Sequence, residues 1–140
     1  VAPEIFHKVA ARVDLFLYDL KLMDEIRHTE FTGYCNRSIL ENLRWLGEQG
    51  IKTIVRFPLL PEMNDDADNV SALGTFVSSL ATRFPIDVLP YHKAGVDKYP
   101  RLDREPMFPD LQPPSEERVR DVVEQLKRYE LEVMVRGERV

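Results

Sequence analysis

The stretch DLFLYDLKLMD, residues 14–24, has the composition of a buried β-strand, yet it carries two opposite charges in its last third. Apolar side chains on both faces are typical of strands in parallel sheets, which helices cover. Because residues i and i+2 share a strand face, Leu15, Leu17, Asp19 and Lys21 are predicted to lie on one face. The two charges then stand together at the C-terminal end of an otherwise apolar strand.

The segments around this strand alternate between helical and extended patterns. Apolar spacing and end residues predict four helices: residues 3–11, a helix between Asn36 and Gly50, residues 66–81 capped by Asn64 or Asp65, and a last helix opened by Ser115. Further strands are predicted at residues 51–60, 86–92 and 131–136, and a Pro-rich segment at 93–114 shows no periodicity. This alternation predicts an α/β fold with parallel strands, either a flat doubly wound sheet or part of a β/α barrel.

The two strands that follow also end in ionisable side chains. Arg56 is predicted to share a face with Ile54 in the second strand. In the third strand, His92 is predicted to end the face that also carries Ile86, Val88 and Pro90.

The carboxyl ends of parallel strands are where α/β folds bind ligands, in barrels and open sheets alike. Asp19, Lys21, Arg56 and His92 are therefore predicted to converge on one mouth and to hold a polar ligand. Two structural interpretations stay open. Charges also occur at strand ends because the chain is emerging into water, and a buried Arg56–Asp19 pair can have a purely structural role.

Composition limits the other classes of function. The 140 residues are 44% hydrophobic and 31% charged, enough for a single domain over residues 1–140 with its own core. A net charge of −5 argues against nucleic-acid binding, and the apolar stretches are too short to cross a bilayer. The lone Cys35 fits a reducing cytoplasm, and His7 and His28 lack metal-ligand spacing and are expected to face solvent. The start at Val1, inside a predicted helix, is expected of a fragment or of a processed or trimmed protein.

Four blocks follow one another in order across residues 14–135: DLFLYDLKLMD, FTGYCNRSILENL, VRFPLLPEMNDD and LPYHKAGVDKY. Together they resemble the glycyl-radical-enzyme activating enzymes, the family of pyruvate formate-lyase activating enzyme. The resemblance implies a radical S-adenosylmethionine enzyme on a partial, TIM-like β/α barrel, of which this chain would be the C-terminal half.

The resemblance also implies a chemistry and its partners. In the family, a 4Fe–4S cluster held by a Cys-x3-Cys-x2-Cys loop reductively cleaves S-adenosylmethionine. The resulting 5′-deoxyadenosyl radical removes a hydrogen from a backbone glycine of a partner glycyl radical enzyme. Reduced flavodoxin or ferredoxin is the implied electron donor.

Individual positions carry over by the same resemblance. Asp19, Leu20 and Lys21 match the cofactor-contacting Asp-Leu-Lys of the family, and His92 matches the cofactor-contacting histidine of Leu-Pro-Tyr-His. Arg56 matches a strand-end arginine of the site, and Asp19 would also help to hold a monovalent cation. The charges suit the ligand, because Lys21 can pair with its carboxylate and Asp19 with a positive group.

The chain departs from the family pattern at several places. The cluster motif and the Gly-Gly-Glu block are absent, so no catalytic residue or cluster ligand is expected here, and the isolated chain is predicted to be inactive. Cys35 stands at a position that is usually serine, and Glu62 replaces a common glycine. The alternative function is a non-catalytic half-barrel that binds a nucleoside-like ligand or docks on a glycyl radical enzyme.

Overall fold

The computed structural model describes residues 3–93 and 110–140. Within these ranges the helices are α1 Pro3–Ala10, α2 Glu25–Thr32, α3 Arg37–Glu48, α4 Ala67–Ser78 and α5 Glu116–Lys127. The strands are β1 Phe16–Asp19, β2 Thr53–Leu59, β3 Ile86–Pro90, β4 Val133–Val135 and β5 Glu138–Arg139. No helix in the two described ranges has the length and apolar character needed to cross a membrane. Most of the predicted Pro-rich segment lies outside the described residues.

The strands form one sheet in the order β1-β2-β3-β4-β5. The first four run parallel, and β5 returns antiparallel to β4. Each parallel strand pairs with the next strand in sequence, as consecutive crossover units require. The predicted α/β class with parallel strands is confirmed.

The core lies on one face of this sheet. In β2, the buried residues Val55, Phe57 and Leu59 alternate with half-buried ones, and they join buried residues of α3, α4 and α5 in a single cluster. The opposite face is open, because Leu17 of β1 is 52% exposed. The prediction that the first strand is buried on both faces was therefore wrong.

The structure contains two elements that the sequence patterns did not predict. Helix α2 has little amphipathic character, but its ends are defined, because Asp24 accepts a hydrogen bond from the Arg27 amide and Gly33 closes the helix at φ 78°. Strand β5 follows a tight turn in which Arg136 and Gly137 both have positive φ.

Helix caps differ from the prediction at two of three sites. Ser115 caps α5 as expected, accepting from the Arg118 amide at 3.1 Å. Helix α4 is capped by Asp66, which accepts from the Asn69 amide, and not by Asn64 or Asp65. Asn36 precedes α3 but makes no side-chain cap. Its amide and that of Asn64 instead bond to the chain that follows β1.

Candidate functional site

Asp19 and Arg56 form an ion pair at the carboxyl ends of β1 and β2. They are direct register partners across the parallel ladder, and Arg56 Nε lies 2.7 Å from Asp19 Oδ1. Both side chains are about one third exposed, at 37% and 35%. The pair is therefore partly exposed and not buried, while a purely structural role for it stays an open alternative.

A cavity of about 670 Å³ lies on this open face. Arg56 and His92 both line it, together with the strand residues Leu17, Ile54, Asp87, Leu89 and Met134. The lining is thus mainly apolar side chains of the strands, and two of the predicted site residues, Arg56 and His92, belong to it. A concave, mainly apolar surface with a few polar groups is typical of small-molecule sites.

His92 reaches the cavity for a different reason from the one predicted. Ile86 and Val88 are fully buried in the core, so the face of β3 that looks into the cavity carries Asp87 and Leu89. The prediction that His92 continues the face of Ile86, Val88 and Pro90 into the site was wrong. The strand ends at Pro90, and the chain after it turns His92 towards the open side.

Lys21 and Leu20 take opposite environments just beyond the end of β1. Lys21 is exposed and lies outside the residues that line the cavity, two positions past the ion-paired Asp19. Leu20 is buried in the core, and its amide donates to the Arg56 carbonyl at 2.9 Å. A contact between Leu20 and a ligand would therefore involve the main chain only.

Some cavity residues were missed by the sequence patterns. Asp87 lies on the open face, where its Oδ1 accepts from the Gly137 amide at 2.9 Å. Arg136, at φ 53°, lines the cavity beside that turn. The Arg-Gly dipeptide after an apolar strand was the available signal for this turn, but nothing in the sequence indicated that it borders the cavity.

The histidines outside the site have structural partners. His28 is buried, and its Nδ1 donates to the Tyr34 carbonyl at 2.8 Å, while His7 is half-buried and stacks on Trp45 at 3.8 Å. The expectation that both face solvent was wrong. In residues 3–93 and 110–140, no cluster of three or more His, Cys, Asp or Glu side chains could hold a metal ion.

The polar side chains of this chain can be compared with the two groups that the family implies, a 4Fe–4S cluster and S-adenosylmethionine. A 4Fe–4S cluster needs several cysteine thiolates, and the chain has only Cys35, which is exposed, so its residues do not fit a cluster. S-adenosylmethionine offers a carboxylate, an ammonium and a ribose, and the Arg56 guanidinium, the Lys21 ammonium, the His92 imidazole and the Asp19 carboxylate are groups that suit them. The predicted monovalent cation at Asp19 would have to bind beside the Arg56 guanidinium.

Curated relatives share long stretches with this chain. It is 38% identical over 121 residues to the trans-4-hydroxy-L-proline dehydratase activating enzyme of Clostridioides difficile, covering 85% of this chain and 40% of that protein. It is 44% identical over 102 residues to the choline trimethylamine-lyase activating enzyme of Oleidesulfovibrio alaskensis, covering 71% and 33%. The pyruvate formate-lyase-activating enzyme of Staphylococcus epidermidis is 32% identical, with 83% and 46% covered.

The chain is homologous to a part of the glycyl-radical-enzyme activating enzymes. It spans one third to one half of the length of these relatives. No model of a protein family matches it.

Solved structures agree with this assignment. A domain of pyruvate-formate lyase-activating enzyme from Bacteroides vulgatus superposes with a TM-score of 0.80 at 29% identity, covering 96% of this chain and 74% of that one. A radical SAM methyltransferase from Sphaerobacter thermophilus, at 19% identity and a TM-score of 0.69, shares the fold. The predicted partial β/α barrel of an activating enzyme is confirmed.

Proposed function

We propose that the complete protein containing residues 1–140 is a radical S-adenosylmethionine activase that generates a glycyl radical on a partner glycyl radical enzyme. This chain supplies part of its S-adenosylmethionine site. One observation carries the proposal: Arg56, which pairs with Asp19, and His92 line one cavity at the carboxyl ends of parallel strands, in a chain homologous to activating enzymes.

Each polar side chain has a role that its chemistry suits. The Lys21 ammonium binds the carboxylate of the cofactor, and the Asp19 carboxylate attracts its ammonium. Arg56 holds Asp19 in place from the neighbouring strand, and His92 contributes a polar side chain to the lining of the same cavity as Arg56. Bound S-adenosylmethionine would supply radical chemistry when an electron reaches it from outside this chain.

The remainder of the machinery lies outside residues 1–140. We assign this chain as one domain, the C-terminal half of the barrel, with a Cys-x3-Cys-x2-Cys loop in the other half holding the 4Fe–4S cluster. Reduced flavodoxin or ferredoxin delivers the electron, and the protein works in the cytoplasm. The lone exposed Cys35 and the lengths of the curated relatives support this division.

Substitution of the proposed ligand contacts in the complete protein tests the site. Lys21→Ala and His92→Ala should each weaken S-adenosylmethionine binding by roughly ten- to a hundredfold, because a charge-assisted contact is worth about 1.5–3 kcal/mol. Lys52→Ala is the matched control, since Lys52 is exposed just before the start of β2, at the far end of the sheet. Normal affinity in both Lys21→Ala and His92→Ala would show that these charges are only structural.

Anaerobic reconstitution of the isolated chain with iron and sulfide tests the division between the halves. With one thiol, the chain should give no stoichiometric 4Fe–4S signal in electron paramagnetic resonance after reduction. A stoichiometric signal together with release of 5′-deoxyadenosine would overturn the proposal.

The second candidate is a non-catalytic module that binds a nucleoside-like ligand or docks on a glycyl radical enzyme. The observation favouring it is that the cavity and its polar walls form within this chain. Calorimetry of the isolated chain with S-adenosylmethionine separates the two functions. Micromolar binding without a cluster would favour the module, and binding only in the complete, cluster-loaded protein would favour the activase.

A further inference from the structure

Two buried asparagine side chains grip the main chain at Lys21. Asn64 Nδ2 donates to the Lys21 carbonyl at 3.0 Å, and Asn69 Nδ2 donates to the same oxygen at 3.3 Å. Asn64 lies in the loop after β2, and Asn69 lies in the first turn of α4. Both are almost fully buried, so these bonds are shielded from water.

We propose that Asn64 and Asn69 are positioning residues that fix the direction in which Lys21 projects. This inference rests on the proposed function, in which Lys21 binds the carboxylate of S-adenosylmethionine. The two asparagines touch neither the cavity nor the Asp19–Arg56 pair, so they act through the main chain of Lys21.

The need for such a grip follows from the end of the β-ladder. The register of β1 with β2 ends at Asp19, and the last bond of the ladder joins the Leu20 amide to Arg56. After that point the chain leaves the sheet, and buried main-chain groups need other partners. The amides of the asparagines supply them.

The remaining bonds of each asparagine anchor the grip to the sheet and to α4. Asn64 also donates to the Pro58 carbonyl at 2.7 Å and accepts from the Leu60 amide at 2.8 Å, which joins it to β2 and its end. Asn69 donates to the Asn64 carbonyl at 2.8 Å and accepts from the Met23 amide at 2.9 Å. A third amide, Asn36 Nδ2, donates to the Met23 carbonyl at 2.8 Å.

Side-chain packing reinforces the same constraint. Leu20 and Leu22 are both buried, whereas Lys21 between them is exposed. The two buried neighbours, and a carbonyl that accepts two hydrogen bonds, fix the main chain at Lys21. The Cα–Cβ bond of Lys21 therefore points outward at the carboxyl end of the sheet. A pre-set direction lowers the ordering cost of binding a ligand.

The test uses Asn69→Asp in the complete protein. Aspartate keeps an oxygen that can accept from the Met23 amide but removes the donor to the Lys21 and Asn64 carbonyls, and a carboxylate is tolerated in the first turn of a helix. We expect affinity for S-adenosylmethionine to fall by roughly tenfold, the size of effect seen when hydrogen-bonded support behind a binding group is lost. Asn69→Ser, which is too short to reach Lys21, is the second variant if Asn69→Asp does not fold.

Val70→Ala is the matched control, because Val70 is fully buried in the same part of α4 but its side chain cannot form a hydrogen bond with the Lys21 main chain. It should lower the melting temperature and leave the affinity unchanged. In a Lys21→Ala background, Asn69→Asp should cause no further loss of affinity, since the side chain that it positions is absent.

The outcomes separate the two proposals. An Asn69→Asp protein that is folded and binds S-adenosylmethionine normally, while Lys21→Ala does not, overturns the positioning role and leaves the proposed function standing. An equal loss of affinity in Val70→Ala also overturns it, because general destabilisation would then explain the effect. Normal binding by Lys21→Ala also overturns the positioning role, whereas the proposed site falls only if His92→Ala binds normally as well.

Discussion

Arg56 places two nitrogens, Nε and Nη2, each 2.7 Å from the same oxygen, Oδ1 of Asp19. The two residues are also register partners in adjacent parallel strands. The pair therefore links β1 to β2 at the point where the ladder ends. Arg56 gives the Asp19 carboxylate a counter-charge but leaves it partly exposed to solvent.

Asp19→Ala should reduce both stability and ligand binding. The stability loss should be about 1 kcal/mol or less, since a pair that is one third exposed is screened by water. Binding should weaken because Arg56 loses the partner that holds it and the cofactor ammonium loses a counter-charge. Thermal melting and calorimetry with S-adenosylmethionine measure the two effects, with Asp19→Asn as a shape-matched control. An unchanged affinity in Asp19→Ala would contradict the assignment of Asp19 to the site.

The isolated chain should self-associate through its open apolar face and edge strand. Leu17 of β1, an edge strand, is 52% exposed, and Leu15 just before it is 38% exposed; Ile5 and Val9 of α1 add exposed apolar surface, at 57% and 48%. Sedimentation should show oligomers that Leu17→Glu reduces. Ile26→Glu is the control, because Ile26 is 70% exposed on α2, away from this face. A clean monomer at high concentration would count against the prediction.

Glu62→Gly should stabilise the protein by about 0.5–1 kcal/mol. Glu62 has φ 64°, a left-handed conformation that costs an L-residue energy and that glycine adopts freely, although glycine also adds unfolded-state entropy. The main-chain bond from residue 62 to Asp65 Oδ1 is kept in the variant. Chemical denaturation measures the change, and Glu41→Gly, at an exposed position inside α3, should instead destabilise. A destabilised Glu62→Gly protein would show that the side chain makes a compensating contact.

Gly74→Ala should destabilise the protein by about 1–3 kcal/mol through overpacking. A Cβ at Gly74 would lie 2.6 Å from Cε2 and 2.9 Å from Cγ of the Tyr129 ring. Gly47→Ala is the control, since its Cβ would meet only ordinary contacts at 3.5 Å or more. In a Tyr129→Ala background, the cost of Gly74→Ala should largely disappear. Equal melting temperatures for the two glycine variants would refute the close packing of α4 on Tyr129.

Tyr18 should make the fold sensitive to alkaline pH. Burial raises the pKa of Tyr18 from 10.0 to about 12, with a hydrogen bond that the Asn42 side chain donates to the Tyr18 oxygen opposing the shift. Because the folded pKa is the higher one, the stabilisation is complete below pH 10 and is lost as pH rises through 12. Tyr18→Phe removes the hydrogen bond to the Ile39 carbonyl together with the one from Asn42, and the loss of the first should cost about 1 kcal/mol at neutral pH.

Urea unfolding between pH 8 and 12 checks this sign. The stability difference between the wild type and Tyr18→Phe should shrink or reverse as pH rises from 10 to 12. A constant difference across that range would show that the Tyr18 hydroxyl titrates at its ordinary pKa in the folded state.

The sequence predicted the features that depend on regular patterns. Alternation in β2 gave the face that carries Arg56, and helix–strand alternation gave the parallel sheet. Helix α2 was missed because it lacks an apolar stripe, although Asp24 and Gly33 marked its ends. The face of β3 was misassigned because an apolar strand offers no sign of which side meets the helices.

The asparagine grip could not be predicted from one sequence. The Lys21 carbonyl lies 43 positions before Asn64 and 48 positions before Asn69, and the Leu22 carbonyl lies 14 positions before Asn36. Asparagine in a loop or first turn usually indicates capping instead. Their partners are main-chain atoms, which leave no residue signature. Only the fold brings them together around Lys21.

The edge position of β1 sets an order of opening across the sheet. β1 has one neighbour and four register pairs, whereas β2 lies between two strands and shares five pairs with β3. Elements with fewer buried main-chain bonds exchange their amide hydrogens through smaller local openings. Of the four parallel strands, the one that ends in Asp19 is thus the one that frays first. The bonds from Asn64 and Asn69 to the Lys21 carbonyl lie just beyond this strand. By the positioning role proposed above, they keep the charged segment in place long enough for it to bind a ligand.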